Sequence, residues 1–131
     1  MEFVIPNTSR KFIINDTLWT KSGASTFCPS SSTYVFNPQP DVTIVSITNV
    51  YLPERNSGVR ELEDARLSLI LKACVNGDRL PPLEVCEPSK AKNYAFRVHN
   101  GYHRFCVSVA LKFSHLPVTV KPYFRFETEP L

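Results

Sequence analysis

One stretch of sequence, residues 94–105 (YAFRVHNGYHRF), limits the folds open to this chain more than any other. Apolar residues alternate through its first half, as is typical of a β-strand, and they are Tyr94, Phe96 and Val98. Asn100-Gly101 then predicts a turn, and the next residues predict the start of a helix that carries His103 and Arg104. Because the first N–H groups of a helix are unpaired and carry the positive end of its dipole, this junction predicts an anion site, most naturally for phosphate.

The bulk composition fits one globular domain with a phosphate-bearing partner. The chain has 131 residues, of which 43% are hydrophobic, and a net charge of +3. This length favours a single domain, and a mildly basic chain admits phosphate-bearing partners without requiring nucleic acid. The start lacks the basic and long apolar segments of a secretory signal, and no apolar run approaches membrane-spanning length. We therefore predict a soluble, cytoplasmic protein without membrane partners.

The spacing of the cysteines and the absence of several known short motifs argue against several classes of site. No C-x-x-C pair occurs, so the spacing argues against a zinc site or a thioredoxin-type motif. We expect the four cysteines to be reduced and mostly buried, and they are Cys28, Cys74, Cys86 and Cys106. The sequence also has no Walker loop, no dinucleotide fingerprint, no H-E-x-x-H motif and no G-x-S-x-G elbow.

The apolar pattern predicts an α+β domain, residues 42–126, between an N-terminal extension, 1–41, and a tail, 127–131. Trp19 and Tyr34 are expected to pack the extension onto the core, where it covers a sheet edge; the alternative is a lid or a partner-binding arm. The predicted order in the domain is strand, helix, strand, strand, helix, strand. The predicted ranges are 42–52, 59–75, 80–86, 94–98, 105–113 and 117–120.

Individual residues define several of these elements. The first strand is rich in β-branched residues and is predicted to be buried on both faces. The first helix is predicted to begin at an N-cap, Ser57, to place Leu69 on its buried face and to end at Asn76-Gly77. The second strand is entered through two prolines, which suits an edge strand or a strand entrance.

Three segments together resemble the ParB/sulfiredoxin superfamily, which includes ParB-like nuclease and nucleotide-binding domains. They are LPPLEV, the stretch YAFRVHNGYHRF with its Gly-Tyr-His-Arg turn at residues 101–104, and ALKFSHLPVTV. The resemblance covers residues 42–120. It implies a mixed sheet with two main helices, and a turn that binds the phosphates of a nucleotide.

The resemblance and the local chemistry assign the same site. The cofactor-binding residues it implies are Asn100, Gly101, Tyr102, His103, Arg104 and Arg55, with His103 and Arg104 as the catalytic pair. Gly101 lets an anion approach the backbone closely, and the Arg104 guanidinium suits phosphate oxygens. The implied cofactor is ATP or another nucleotide, with Mg²⁺ carried by its phosphates. The implied activity is phosphoryl chemistry of the ATPase, kinase-like or nuclease type.

Other interpretations of the same residues stay open. Sulfiredoxins carry a reactive cysteine where this chain has Tyr102, so sulfinic-acid reduction is not expected, although redox repair through another cysteine is a third hypothesis. A non-enzymatic DNA- or protein-binding accessory factor is the main alternative, motivated by Arg97, Lys112, Lys121 and Arg125. The simplest alternative is an ordinary turn whose His103 and Arg104 lie on the surface.

Overall fold

A computed structural model describes residues 1–54, 62–87 and 94–122 of the chain. They form an α+β fold with a two-stranded ribbon, three α-helices and a five-stranded mixed sheet. The first part contains β1 (Glu2–Val4), β2 (Lys11–Ile13), α1 (Asp16–Lys21) and a 3-10 turn (Ala24–Thr26). The second contains β3 (Thr43–Ser46), a 3-10 turn (Ile47–Asn49), β4 (Val50–Tyr51), α2 (Asp64–Asn76), β5 (Leu83–Glu87), β6 (Phe96–Asn100), α3 (Tyr102–Ala110) and β7 (His115–Pro122).

The large sheet has the strand order β3-β7-β5-β6-β4. β7 pairs antiparallel with β3 and parallel with β5, while β6 pairs antiparallel with β5 and parallel with β4. From α2 onwards the order of strands and helices agrees with the predicted order, and the predicted class, α+β with a mixed sheet, is confirmed. The prolines before β5 mark a strand entrance, because β5 lies between two neighbours.

The predicted continuous strand over 42–52 is wrong, because two short strands on opposite sheet edges replace it. The 3-10 turn between them is held at both ends: Ile47 N–H donates to Ser114 O, and Asn49 O accepts from Ala95 N–H. Four residues span at most about 14 Å, whereas the edges of a flat five-stranded sheet lie about 19 Å apart. The sheet therefore curls. Burial on both faces is also wrong, since Ile44 is 43% exposed at the free edge.

The first predicted helix is correct in type and in its end, but two of its details change. The helix starts at Asp64, and its buried residues are Leu67, Leu71 and Cys74. Leu69, predicted to face the core, is 71% exposed. The run of apolar residues around it fits more than one helix face, and packing against α3 decides which face is buried. Gly77 ends the helix in the left-handed conformation, as predicted.

The junction between β6 and α3 is tighter than predicted. The strand continues to Asn100 and the helix begins at Tyr102, so Gly101 alone connects them. The predicted limits, 94–98 and 105–113, were shifted because a two-residue turn was expected at Asn100-Gly101. α3 ends at Ala110, three residues before its predicted end, and β7 begins at His115.

One hydrophobic core joins the N-terminal segment to the rest of the fold. It includes Ile14, Trp19 and Tyr34 together with Leu71 and Phe105. The predicted packing of Trp19 and Tyr34 is therefore confirmed. Three cysteines are buried and Cys28 is exposed, none of them in a disulfide. In the described ranges, no helix has both the length and the apolar character needed to span a membrane.

Some structural predictions fall on residues outside the described ranges. The Ser57 N-cap lies in the first gap, and the tail over 127–131 lies beyond the last described residue. The predicted limits of the extension and the domain stay predictions.

Candidate functional site

Gly101 occupies a position that only glycine fits. Its φ is +121°, in the region that residues with a side chain rarely adopt. A Cβ atom built on it would lie 2.6 Å from Cγ of Leu83, which is fully buried in β5. The strand can turn directly into α3 only because this Cβ is absent. Phe105 N–H then donates to Gly101 O at 2.9 Å, which closes the first turn of the helix.

His103 connects the first turn of α3 to the beginning of α2. Its side chain is buried, at 4% exposure, and its Nε2 accepts a hydrogen bond from Glu63 N–H at 2.9 Å. Glu63 is the N-cap residue of α2. A ring nitrogen that accepts a hydrogen bond carries no proton, so this contact requires the imidazole with its proton on Nδ1. In this geometry His103 positions two helices, and its predicted catalytic role would require the Glu63 contact to open.

Arg104 fastens α3 to the entrance of β5. Its Nη1 donates to the carbonyls of Pro81 and Pro82, at 2.8 and 2.7 Å. The Tyr34 hydroxyl donates to the same Pro81 oxygen at 2.6 Å, and burial holds the pKa of this phenol well above its usual range despite the nearby Arg104 charge. Arg104 also lines a cleft beside this junction, so it has both a structural contact and a surface available to a ligand.

The His103 contact brings two helix N-termini together. α2 starts after Glu63 and α3 starts after Gly101, and neither N-cap residue supplies a side-chain hydrogen bond to its helix. The first turn of a helix carries unpaired N–H groups and roughly half a positive charge. Two such ends meeting at one place favour an anion there more strongly than either would alone.

The cleft at this place has a volume of about 530 Å³. This volume is within the range that accommodates a small organic ligand. The predicted residues that the cleft brings together are Asn100, Gly101, Tyr102, His103 and Arg104. Arg55 lies outside the described residues, although its neighbours Pro53 and Glu54 line the cleft. The remaining lining residues are Arg66, Ile70, Arg97, Val98 and His99.

Two cationic residues of the cleft, Arg66 and Arg97, were not among the predicted site residues. Arg66 lies in the first turn of α2, and Arg97 lies in β6, four residues before Gly101. Arg97 has a partial signal in the sequence, because it alternates with His99 on the strand that leads to the turn. Arg66 has none, since only the packing of α2 beside α3 brings it to the cleft.

The acidic side of the cleft is formed by Glu54. Its Oε1 lies 3.9 Å from Nε of Arg10, whose Nη1 donates to Leu52 O. Arg10 thus holds the segment that carries Glu54. Among the described residues, no group of three His, Cys, Asp or Glu side chains is arranged to hold a metal ion. The cationic lining fits the phosphates of a nucleotide, and Glu54 is the carboxylate that could contact Mg²⁺ carried by them.

The basic residues expected to form a DNA-binding surface are not all brought together. Arg97 lines the cleft, whereas Lys112 follows the other end of α3 and lines a second cavity with Trp19 and Cys28. A nine-residue helix is about 13 Å long, which separates the two. Lys121 lies in β7, and Arg125 is outside the described residues. Cys106, one helical turn beyond Tyr102, is fully buried.

No protein-family model, no curated protein and no solved structure matches this chain. Any function proposed for it therefore rests on the geometry of the cleft, on the residues that line it and on the resemblance of its sequence motifs.

Proposed function

We propose that this protein binds a nucleotide through its phosphates, in the cleft between α2 and the β6–α3 junction. The observation that supports the proposal is the meeting of two helix N-termini with three arginines, Arg66, Arg97 and Arg104, around one cleft. Cations next to a helix N-terminus repel its dipole, so their clustering there is unfavourable without an anion. A phosphate removes this cost and accepts hydrogen bonds from N–H and guanidinium groups.

Several residues of the cleft have a specific part in this proposal. Gly101 turns β6 directly into α3 and so brings the start of this helix to the cleft, where its N–H groups donate to the phosphate oxygens. His103 keeps the start of α2 beside the start of α3 through Glu63. Tyr102 and Ile70 add aromatic and apolar surface for the rest of the ligand.

The phosphoryl chemistry implied by the family resemblance remains part of the proposal. Mg²⁺ bound with the nucleotide would neutralise phosphate charge, which is its usual contribution to such reactions. Arg97 and Arg104 line the same cleft and would stabilise charge that develops on the transferred group. Glu54, the acidic lining residue in the described part of the chain, is the carboxylate that we assign to contacting this Mg²⁺.

Titration of ATP, ADP, CTP and GTP into the full chain tests the binding function. We expect saturable binding of at least one of them at micromolar to low millimolar concentration. Reversing one charge of the cleft with Arg97→Glu should weaken nucleotide binding by about a hundredfold or more. The variant loses a charge-assisted hydrogen bond and gains a repulsion, and both effects lower the affinity. Arg79→Glu is the matched control, since Arg79 is exposed and does not line the cleft.

Absence of binding by the wild type at millimolar nucleotide would refute the proposal. An equal loss of nucleotide affinity in Arg97→Glu and Arg79→Glu would show that the nucleotide binds elsewhere on the surface. Arg104→Ala is a less direct variant, because it also removes the Arg104 hydrogen bonds to the Pro81 and Pro82 carbonyls and leaves Tyr34 alone to donate to Pro81.

A further inference from the structure

The cleft contains more positive charge than one phosphate requires. Three guanidinium groups face it, against the single carboxylate of Glu54 among the described lining residues. A phosphate monoester carries about two negative charges at neutral pH. The two helix N-termini and Arg104 already surround the position beside Gly101, so Arg66 and Arg97 remain as surplus cations.

Arg66 and Arg97 differ from Arg104 in their contacts inside the protein. Nη1 of Arg104 is held by two proline carbonyls. Within residues 1–54, 62–87 and 94–122, no hydrogen bond or ion pair engages the side chain of Arg66 or Arg97. Arg97 is half-buried, and a partly desolvated guanidinium without a partner is costly. An anion in the cleft would remove that cost.

We propose that the cleft selects ligands with two linked phosphates, and that Arg66 and Arg97 determine this selectivity by contacting the second phosphate. The inference rests on the proposed nucleotide-binding function and adds the number of phosphates that the site reads. The first phosphate lies at the helix N-termini beside Gly101. The second lies between α2 and β6, where planar guanidinium groups can each hold two of its oxygens.

The diphosphate group is the chemistry that is recognised, whether a nucleotide or inorganic pyrophosphate supplies it. Calorimetric titration of the full chain at constant ionic strength, with phosphate, pyrophosphate, AMP and ADP, separates these sources. We expect pyrophosphate and ADP to bind at least about tenfold more tightly than phosphate and AMP, because each added charge-assisted hydrogen bond contributes that much. Pyrophosphate binding alone would identify an inorganic ligand, and ADP binding a nucleotide; both support the diphosphate assignment.

Variants assign the effect to the two arginines. Arg66→Gln and Arg97→Gln should each lower pyrophosphate affinity by about tenfold to a hundredfold, and phosphate affinity by less than about threefold. Arg97→Lys keeps the positive charge but loses the planar guanidinium that can hold two phosphate oxygens, so it should retain part of the affinity for pyrophosphate. Arg79→Gln, outside the cleft, should leave every affinity unchanged. Thermal unfolding of each variant verifies that the fold is intact.

The outcomes distinguish this inference from the function on which it rests. Equal affinity for phosphate and pyrophosphate, or equal losses for both in the variants, overturns the diphosphate assignment and leaves nucleotide binding standing. No binding of any probe at millimolar concentration overturns both. Tighter binding of a single-stranded oligonucleotide of about 12 nucleotides than of pyrophosphate assigns the arginines to a nucleic-acid backbone and contradicts the inference.

Discussion

At the scale of single residues, Gly101 is the position on which the site depends most. Two requirements coincide there: a φ of +121° and the absence of a Cβ beside the Leu83 side chain. Gly77, at the end of α2, shares the first requirement but not the second, because a Cβ there would meet nothing within 4 Å. Comparing substitutions at Gly77 and Gly101 therefore separates the cost of backbone strain from the cost of steric overlap.

Replacing these two glycines by alanine should destabilise the fold to different extents. Gly77→Ala incurs backbone strain alone, and we expect a loss of about 1 kcal/mol. Gly101→Ala adds overpacking against Leu83, and we expect a loss of about 3 kcal/mol. Urea unfolding of both variants measures the difference. Equal losses would show that Leu83 moves aside easily and that the junction is packed less tightly than the 2.6 Å approach indicates.

Single residues also show where prediction from the sequence reaches its limit. The Asn-Gly pair and the alternating strand before it located the junction, because turn chemistry and strand periodicity are local properties. The buried orientation of His103 depends on Glu63, forty positions away in sequence, and could not be read from the motif. Arg66 reaches the cleft by the same long-range packing. The residues of the β6–α3 junction were therefore predictable, while their contacts and the presence of Arg66 in the cleft were not.

At the scale of elements, α2 and α3 end in the same way with different residues. In α2, Gly77 N–H bonds to Cys74 O and Asp78 N–H bonds to Ala73 O. In α3, Lys112 N–H bonds to Val109 O and Phe113 N–H bonds to Ser108 O. Both patterns are Schellman motifs, in which the left-handed residue is usually glycine. Lys112 adopts this conformation with a φ of +68°.

Lys112→Gly should therefore stabilise the protein. Relieving the left-handed conformation is worth about 1 kcal/mol, since glycine adopts it without a steric penalty. Thermal or urea unfolding measures the gain, and Lys121→Gly, which lies in a strand, should give a loss and serves as the control. A lower stability of Lys112→Gly would mean that contacts of the lysine side chain contribute more stability than its left-handed backbone conformation costs.

Element boundaries were predictable where a local signal marks them. Gly77 ended α2 as expected, because glycine is the common residue at that cap. The end of α3 was predicted too late, since a lysine at the cap gives no such signal. The division of residues 42–52 was not predicted either: β-branched residues lie on both sides of Ser46 and Asn49, and the 3-10 turn there is held by hydrogen bonds to Ser114 and Ala95, which are distant in sequence.

At the scale of the whole molecule, one core contains several groups that can lose a proton at high pH. Burial raises the pKa of the Cys74 thiol from about 9 to about 12. Burial also raises the pKa of Cys86, where the nearby Arg97 charge partly opposes the shift. The Tyr34 pKa is raised in the same direction. All three are neutral in the folded protein at physiological pH.

The free energy of unfolding should fall as the pH rises above about 9. Below that value the Cys74 thiol is protonated in both states, so it contributes no pH dependence. Between about 9 and 12, the unfolded chain loses this proton while the folded chain keeps it, which favours unfolding. Urea unfolding from pH 7 to pH 11 should show the decline, and Cys74→Val should make it shallower.

The exposed Cys28 provides the control for this pH series, because Cys28→Ser should leave the slope unchanged. A free energy of unfolding that stays constant to pH 11, or an equal slope in Cys74→Val, would contradict the burial of these groups in the core.

The central claim is that two helix N-termini and the arginines beside them form one phosphate site. Backbone amide chemical shifts, recorded as ATP is added to the full chain, test it most directly. We predict the largest changes at residues 101–104 and 64–66, with Ser25 and Cys28 in the second cavity as unaffected references. Shifts confined to the second cavity, or changes at the α3 start without changes at the α2 start, would contradict the account.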